Sequence, residues 1–288
     1  MSSNSNFKRG MKRGRRSFLS IILSGMLKNI SITTWLIAVN TFFFVVSLFL
    51  GNFTNYLALQ PRALFENYYA WTLITSMFMH AGVAHLFFNM FSLYFIGGFV
   101  EKIIGRKRFL WFYIISGIFA GLFFSVLSYF FGYGIGAKIF GSPDLLAVGA
   151  SGAIFGLLGL LAVITPRKRV YLIAGPLVAI ILQVVLESFI TASSLLSLIE
   201  IIITLYIFIS IFLIFSFNSG ARKLALPIEL EFWLLPVIAI VPLVVIGFFV
   251  QLPIGNMAHL GGLILGLGYG FYLRRKYAKK IMILNRYI

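Results

Sequence analysis

The tetrapeptide Gly149-Ala150-Ser151-Gly152 places a serine among small residues at the start of an apolar stretch. A serine hydroxyl becomes a good nucleophile only when a neighbouring base accepts its proton. Small residues also let helices pack closely within a membrane, which is the structural alternative for this motif. The soluble nucleophile elbow G-x-S-x-G does not fit, because Ala153 occupies its last position.

Histidine is the base to consider, since the chain has three histidines and no cysteine. The absence of cysteine also excludes disulfides, thiol catalysis and cysteine-bound metals. His259 is followed by Gly262, Gly266 and Gly270, which form one stripe on a helix and permit close packing on a neighbouring helix. An ionisable residue inside a span usually faces protein or water. His259 is therefore either a base or a histidine hydrogen-bonded to backbone.

His85 and Asn89 lie four residues apart, so they share one face of a helix. Both side chains can donate hydrogen bonds, and two donors near the outer end of a span can stabilise a developing oxyanion. The alternative is a polar contact between helices. If His85 serves the oxyanion, His259 is the histidine left to activate Ser151.

No acidic residue is well placed to orient the histidine base. Glu187 and Glu200 flank a connection between apolar stretches, and Asp144 lies seven residues before the serine. We therefore expect a Ser-His dyad rather than a triad. Phe155, one helical turn beyond the serine, is expected to pack against the imidazole and hold its orientation by contact.

Membrane helices are the elements that must position these residues. Hydrophobic residues make up 60% of the chain and charged residues 11%, whereas soluble domains carry about 25% charged residues. A helical span needs about 20 apolar residues. Eight stretches meet or approach this length: 32–50, 82–100, 109–131, 146–165, 170–189, 195–217, 233–250 and 257–273. We therefore expect an all-α fold, a polytopic membrane helix bundle with about eight transmembrane helices.

The 24 basic residues give the chain a net charge of +17. They occur in short clusters between the apolar stretches, which is typical of cytoplasmic loops. A nucleic-acid-binding protein would present one continuous basic face, so nucleic acid is not an expected partner. With a cytoplasmic N-terminus, the outer side holds Arg62 and Lys138 as its basic residues, and eight spans return Arg274–Lys280 to the cytoplasm. We expect a multi-pass protein of the cell membrane with both termini cytoplasmic.

This topology places the serine, both histidine motifs and Asn89 near the outer ends of their helices. Three predicted spans lie between the serine helix and the His259 helix. An odd number makes these two helices run in the same direction, so Ser151 and His259 can meet at one depth. The motifs together are therefore stronger evidence for a catalytic site than any one of them alone.

Residues 1–30 combine a basic stretch with a short apolar run from Ser17 to Leu27. A signal peptide is one interpretation, but the run is short, no clear cleavage site follows, and a span begins soon after. We expect a cytoplasmic tail with an interfacial helix whose basic residues lie against anionic headgroups. A membrane domain at 31–274 and a basic cytoplasmic tail at 275–288 complete the predicted division.

The motifs resemble those of the rhomboid intramembrane proteases. The family pattern G-x-S-G matches Gly149–Gly152, and A-H-x-x-G-x-x-x-G matches Ala258–Gly266. H-x-x-x-N matches His85–Asn89, and G-G-x-x-E-K-x-x-G matches Gly97–Gly105. The resemblance implies a rhomboid-like core of six helices, with two extra helices here.

The resemblance also implies a role for each matched residue. Ser151 would be the nucleophile and His259 the general base. The Ser151 amide, His85 and Asn89 would form the oxyanion hole, and Phe155 would stack on the catalytic histidine. Six further residues would be structural or supporting: Gly149, Gly152, Gly262, Gly266, His80 and Glu101.

Two features depart from the family pattern. Many rhomboids carry Trp-Arg in the first outer loop, where this chain has Trp71-Thr72, so we expect the loop to sit or bind lipid differently. The basic core has one span between the serine and histidine helices, and three are predicted here. The extra pair is expected within about 190–250, where it follows or replaces part of the span that controls substrate access.

The sequence therefore predicts a serine endopeptidase that cleaves in or beside the transmembrane segments of other membrane proteins, within the lipid bilayer and without a metal or cofactor. The family implies small side chains at the cleaved position. One alternative is a catalytically silent rhomboid-like protein that binds membrane clients, which retention of Ser151 and His259 disfavours. The other is a transporter or channel, which the few acidic residues in the spans disfavour. The glycine stripes are explained by packing within one chain and predict no oligomeric state.

Overall fold

The computed structural model describes residues 30–50, 52–176, 178–179, 182, 186, 193–214, 220, 223–249 and 255–287. Helices account for most of these residues, which confirms the predicted helical membrane bundle. The predicted N-terminal tail up to residue 29, with its interfacial helix, lies outside the described residues, as does Glu187.

The first helix, α1, covers Ile32–Phe49, and Ser31 caps its N-terminus by accepting a hydrogen bond from a first-turn amide. The buried carboxylate of Glu101 accepts hydrogen bonds of 2.9 Å from the Ile32 and Thr33 amides. Negative charge is favoured there because the first amides of a helix are unpaired and the helix dipole is positive. Glu101 thus fixes the start of α1 against the helix that carries it.

The segment after α1 forms three short helices, α2 (Phe53–Leu57), α3 (Pro61–Glu66) and α4 (Thr72–Thr75). Leu59 and Ala147 exchange two backbone hydrogen bonds, of 2.9 and 2.7 Å. This pairing ties the outer segment to the stretch that leads into the serine motif.

The Trp71-Thr72 dipeptide is bound to its own loop. The Trp71 indole donates to the Tyr56 carbonyl at 3.3 Å, and the Thr72 hydroxyl donates to the Tyr69 carbonyl at 2.5 Å. Thr72 is 1% exposed, so it belongs to the packing of the loop. The expectation that this loop binds lipid differently stays a prediction.

The next helical run begins with α5 (Val83–Ser92), passes through a π-helical segment at Leu93–Gly97 and continues as α6 (Gly98–Ile104). Gly105 follows with φ 84°, a left-handed conformation that glycine adopts without steric cost. This turn leads directly into the long helix α7 (Arg106–Phe131).

The remaining helices follow in chain order: α8 (Gly136–Phe140), α9 (Ser151–Ile164), α10 (Ser193–Ile214), α11 (Leu235–Phe249), α12 (Asn256–Lys276) and α13 (Ala278–Tyr287). Twelve of the 14 residues of α9 are buried. α9 is thus the central helix, and α7 and α12 pack on it.

Glycines set the separation of α9 and α12. A Cβ on Gly262 would lie 3.0 Å from the Gly152 carbonyl carbon, and one on Gly266 would lie 2.9 Å from the Gly156 carbonyl carbon. These distances leave no room for a side chain, so the two backbones are in direct contact. The pairs ascend together along both helices, which makes the helices parallel, as the odd number of intervening spans predicts.

Two strands, β1 (Arg169–Ile173) and β2 (Pro227–Glu231), form an antiparallel pair with Arg169 opposite Glu231. The prediction of a span over 170–189 is wrong at its start, and the predicted all-α fold lacked this sheet. Residues 170–173 are rich in β-branched and aromatic side chains, which suit a strand once a partner strand is present. The pairing brings both ends of the stretch 174–226 together.

Three of the described helical runs are long and apolar enough to cross a membrane: Ile32–Phe49, Val83–Ile104 and Arg106–Phe131. Shorter apolar helices include Ser151–Ile164 and Ser194–Ser210. The predicted span 146–165 begins later than expected, because residues 146–150 form the non-helical approach to α9. The total of eight spans stays a prediction.

Candidate active site

Ser151 is the first residue of α9, and Gly149 shapes the turn in front of it. Gly149 has φ 123°, where a residue with a Cβ would be strained. Its amide donates a 2.9 Å hydrogen bond to the Ser76 carbonyl. The first amides of a helix have no acceptor within that helix. The Ser151 N–H is therefore not used by α9 and points toward the residues that precede it.

His259, in the first turn of α12, lies beside Ser151. The distance from His259 Nε2 to Ser151 Oγ is 2.8 Å, which is the reach that a general base needs. The Phe155 ring stacks on the imidazole, with ring centroids 4.4 Å apart and planes 14° from parallel. This stack restricts rotation of the imidazole and keeps Nε2 directed at the hydroxyl.

His85 and Asn89 lie against the same turn from α5. A Cβ on Gly149 would be 2.9 Å from His85 Nε2 and 3.8 Å from Asn89 Nδ2. The Ala81 amide donates to His85 Nδ1 at 3.4 Å. Because a nitrogen that accepts carries no hydrogen, Nε2 is the donor of the neutral ring. This donor is the atom on the Gly149 side.

Asn89 is 6% exposed, and its Nδ2 donates one hydrogen bond to the His85 carbonyl at 2.9 Å. A side-chain amide has two hydrogens on that nitrogen. The bond to the helix backbone therefore fixes the amide group and leaves a second hydrogen for an acceptor.

The acidic residue nearest the serine in sequence is engaged elsewhere. Asp144 accepts hydrogen bonds from Arg62 at 2.6 and 3.1 Å, and these hold the pKa of the Asp144 carboxyl below its usual value. His259 Nδ1 has no hydrogen-bond partner among the described residues. Within the described part of the chain, the geometry is thus that of a Ser-His pair without an orienting carboxylate.

His80 is buried, with 3% of its surface exposed, and its ring lies 5.1 Å from that of His85, centroid to centroid. Burial, and then the neighbouring His85, lower the pKa of His80 to about 3. His80 is therefore neutral at physiological pH and contributes packing beside His85. Within the part of the chain that the structure describes, no group of three or more His, Asp or Glu side chains could hold a metal ion.

Sequence reasoning did not identify Ser76, whose carbonyl holds the Gly149 turn. Its contribution comes from the backbone, so the residue type carries no indication of it. Ala120 was also missed, although a Cβ on Gly152 would lie 2.7 Å from its Cβ. Small residues on α7 are the only pattern that could have suggested this contact.

The fold and the site together describe a helical membrane protein with a serine and a histidine in contact. The model of the Rhomboid domain family matches residues 67–220, which is just over half of the 288 residues. The chain therefore belongs to the rhomboid family.

Several curated proteins are similar to the chain over about a third of its length. Rhomboid protease GluP of Bacillus subtilis (strain 168) is 39% identical over 99 residues, which are 34% of this chain and 17% of GluP. RHOMBOID-like protein 2 of Arabidopsis thaliana is 38% identical over 100 residues, 35% of this chain and 27% of that protein. Inactive RHOMBOID-like protein 8 of Arabidopsis thaliana is 34% identical over 101 residues, 35% of this chain and 25% of that protein. In each case the match spans well under two thirds of the relative's length.

Proposed function

We propose that the chain is an intramembrane serine endopeptidase that acts through a dyad of Ser151 and His259. The observation that supports this most strongly is the 2.8 Å distance between His259 Nε2 and Ser151 Oγ. A serine and a histidine in hydrogen-bond contact can cleave an amide bond without a metal or cofactor.

The first step is acylation of the serine. His259 Nε2 accepts the proton of Ser151 as Oγ attacks the carbonyl carbon of the scissile peptide bond. For Nε2 to accept, the neutral imidazole must carry its hydrogen on Nδ1. The stack with Phe155 then holds the ring in place of a carboxylate.

Attack turns the carbonyl oxygen into an oxyanion, which three donors can stabilise. They are the Ser151 amide at the start of α9, Nε2–H of His85 and the second hydrogen on Asn89 Nδ2. Donors that are fixed before the reaction need no reorganisation as charge develops. The positive end of the α9 dipole points at the same position.

The tetrahedral intermediate then collapses, and the bond to the leaving nitrogen breaks. His259 returns its proton to that nitrogen, which departs as an amine. In deacylation a water attacks the acyl carbon while Nε2 takes the water's proton, and the proton is then given back to Ser151 Oγ. The enzyme returns to its starting state.

The substrate we propose is the transmembrane segment of another membrane protein. Ser151, His259 and His85 lie in the first turns of their helices, which corresponds to a shallow depth below one membrane surface. An intact helix hides its carbonyls in its own hydrogen bonds. Segments weakened by glycine or proline should therefore be cleaved best.

The orientation that we propose puts this face on the outer side of the cell membrane, with both termini in the cytoplasm. Basic residues favour the cytoplasmic side of a membrane. Arg274 and its neighbours lie in the last turn of α12, which is the end opposite His259. The site would then open to water outside the cell.

A second candidate function is client binding without cleavage, because one similar protein is named as inactive. A cleavage assay with purified protein distinguishes the two functions. A model transmembrane substrate with a glycine-rich segment would be incubated with wild type, Ser151→Ala and, as a matched control, Ser47→Ala. Ser47 donates its hydroxyl to the Phe44 carbonyl within α1, so its loss removes a serine without touching the dyad.

Cleavage by wild type and Ser47→Ala, together with its loss in Ser151→Ala, is the result that we expect. Equal cleavage by Ser151→Ala would exclude that serine as the nucleophile. Substrate binding with no cleavage by any of the three proteins would favour the client-binding function.

A further inference from the structure

A cavity of about 1050 Å³ opens at the end of α9 opposite Ser151. Its walls come from the end of α9, the two strands and the junction of α12 and α13. Thirteen residues line it, and four of them are basic: Arg167, Lys168, Arg169 and Arg274. One carboxylate, Glu231, lies in the same wall. The cavity is thus strongly positive and wide enough for a small charged group.

The Glu231 carboxylate is hydrogen-bonded to an indole and makes no ion pair with a cation of the cavity. Glu231 Oε2 accepts a 2.8 Å hydrogen bond from the Trp233 indole. Arg169 instead pairs with Glu229 at 3.5 Å, and Lys168 lies 4.5 Å from the centroid of the Phe99 ring. These contacts leave part of the basic lining without a negative partner.

Arg167 and Arg274 are the two lining arginines whose side chains make no ion pair or hydrogen bond with a described residue. The chain has seven acidic residues. Five of them form an ion pair or a hydrogen bond elsewhere, with Arg62 or in the contacts described above: those at positions 66, 101, 144, 229 and 231. Two guanidinium groups at one cavity, with no acidic partner among the described residues, favour an anion from outside the chain.

The location of the cavity indicates which anion it meets. α9 has 14 residues, so its two ends lie about 20 Å apart at 1.5 Å per residue. Trp233 lines the cavity and is 48% exposed, as is common for tryptophan at a membrane surface. Apolar Ile281 and Met282 of α13 line the cavity beside the cations. Cations, an exposed indole and apolar side chains together suit a phosphate group with acyl chains attached.

We propose that this cavity binds the phosphate group of an anionic phospholipid, with Arg167 and Arg274 as its main ligands. Arginine binds phosphate oxygens by two parallel hydrogen bonds. The lipid would stabilise the junction of α9, α12 and the strand pair at the cytoplasmic end of the bundle. This inference does not depend on the proposed catalytic function.

The test is native mass spectrometry of the full chain in detergent, with phosphatidylglycerol, phosphatidylcholine or glycerol phosphate added separately. The variant Arg167→Gln/Arg274→Gln is compared with Lys279→Gln/Arg286→Gln, which removes the same charge from residues of α13 that do not line the cavity. Each basic residue near an anionic lipid contributes roughly fivefold in affinity. We expect the cavity variant to bind phosphatidylglycerol at least about tenfold more weakly than wild type, and the control to bind within about twofold of it.

Equal loss in both variants would overturn the proposal, because the effect would then follow from net charge alone. Equal wild-type affinity for phosphatidylcholine and phosphatidylglycerol would also overturn it. If glycerol phosphate binds as tightly as phosphatidylglycerol, the proposal of a lipid ligand would be overturned, and the ligand would be a soluble phosphate compound. If the double variant does not fold, as judged by its Tm, Arg274→Gln alone must still weaken phosphatidylglycerol binding several-fold.

Discussion

Replacing Gly262 by alanine should inactivate the protein by moving the histidine away from the serine. The new Cβ would lie 3.0 Å from the Gly152 carbonyl carbon, 3.2 Å from the Gly156 amide nitrogen, and closer still to the Gly152 oxygen. Ordinary contacts of this kind begin near 3.4 Å. Since all three obstacles are backbone atoms, α9 and α12 must separate, by about 0.5–1 Å in a packed interior.

That separation acts directly on the dyad, because Gly152 follows Ser151 in the chain. A Ser151–His259 distance of 2.8 Å would lengthen beyond the range of about 2.5–3.2 Å in which such a hydrogen bond is effective. A misplacement of about 1 Å lowers a rate by about 10²-fold. Overpacking should also lower the free energy of unfolding by about 1–3 kcal/mol.

Gly268→Ala is the matched control, because a Cβ at Gly268 meets nothing within 4 Å. It lies on the same helix and gains about 1 kcal/mol of helix propensity, as Gly262→Ala also does. The assay is kcat on a model transmembrane substrate, measured below the Tm of each variant. A wild-type kcat for Gly262→Ala would refute the claim that backbone contact between α9 and α12 positions the dyad.

Three further predictions concern the surroundings of the dyad. Phe155→Ala should lower kcat by up to about tenfold with little change in KM, since an aromatic stack contributes about 0.5–1.5 kcal/mol; Phe155→Tyr should retain activity, and an equal loss in both would argue against the stack. Asn89→Ala should lower kcat by about 10²-fold, and an unchanged kcat would remove Asn89 from the oxyanion hole. Arg62→Gln should lower the Tm slightly at pH 7, because the hydrogen bond from Arg62 lowers the pKa of Asp144 and an exposed pair is weak. That contribution is present above the unfolded-state pKa of about 4 and is lost as the pH falls through the lowered folded-state pKa, so the two Tm values should converge in acid; a constant difference would contradict the assignment.

The sequence predicted which side chains of the candidate site lie close together, because their contacts follow helical spacing. Four-residue steps put His85 and Asn89 on one face and align the glycines of α12. Those glycines allow α12 to touch α9, which is why His259 meets Ser151. The serine-to-histidine contact across 108 residues was therefore foreseeable once both helices were expected to run in the same direction.

The strand pair could not be predicted in the same way. Residues 170–173 are apolar and continue an apolar stretch, so hydropathy alone extends a span through them. Their strand state depends on pairing with Pro227–Glu231, and such long-range pairing leaves no local periodicity in the sequence. The hydrogen bond from the Gly149 amide to the Ser76 carbonyl could not be predicted either, because every residue has a backbone carbonyl.

Covalent labelling with a fluorophosphonate, followed by mass spectrometry of the labelled peptide, tests the Ser151–His259 dyad most directly. The dyad predicts a single adduct on Ser151 in wild type, its retention in Ser47→Ala, and its loss in both Ser151→Ala and His259→Ala. An adduct on a different serine, or undiminished labelling of His259→Ala, would contradict it.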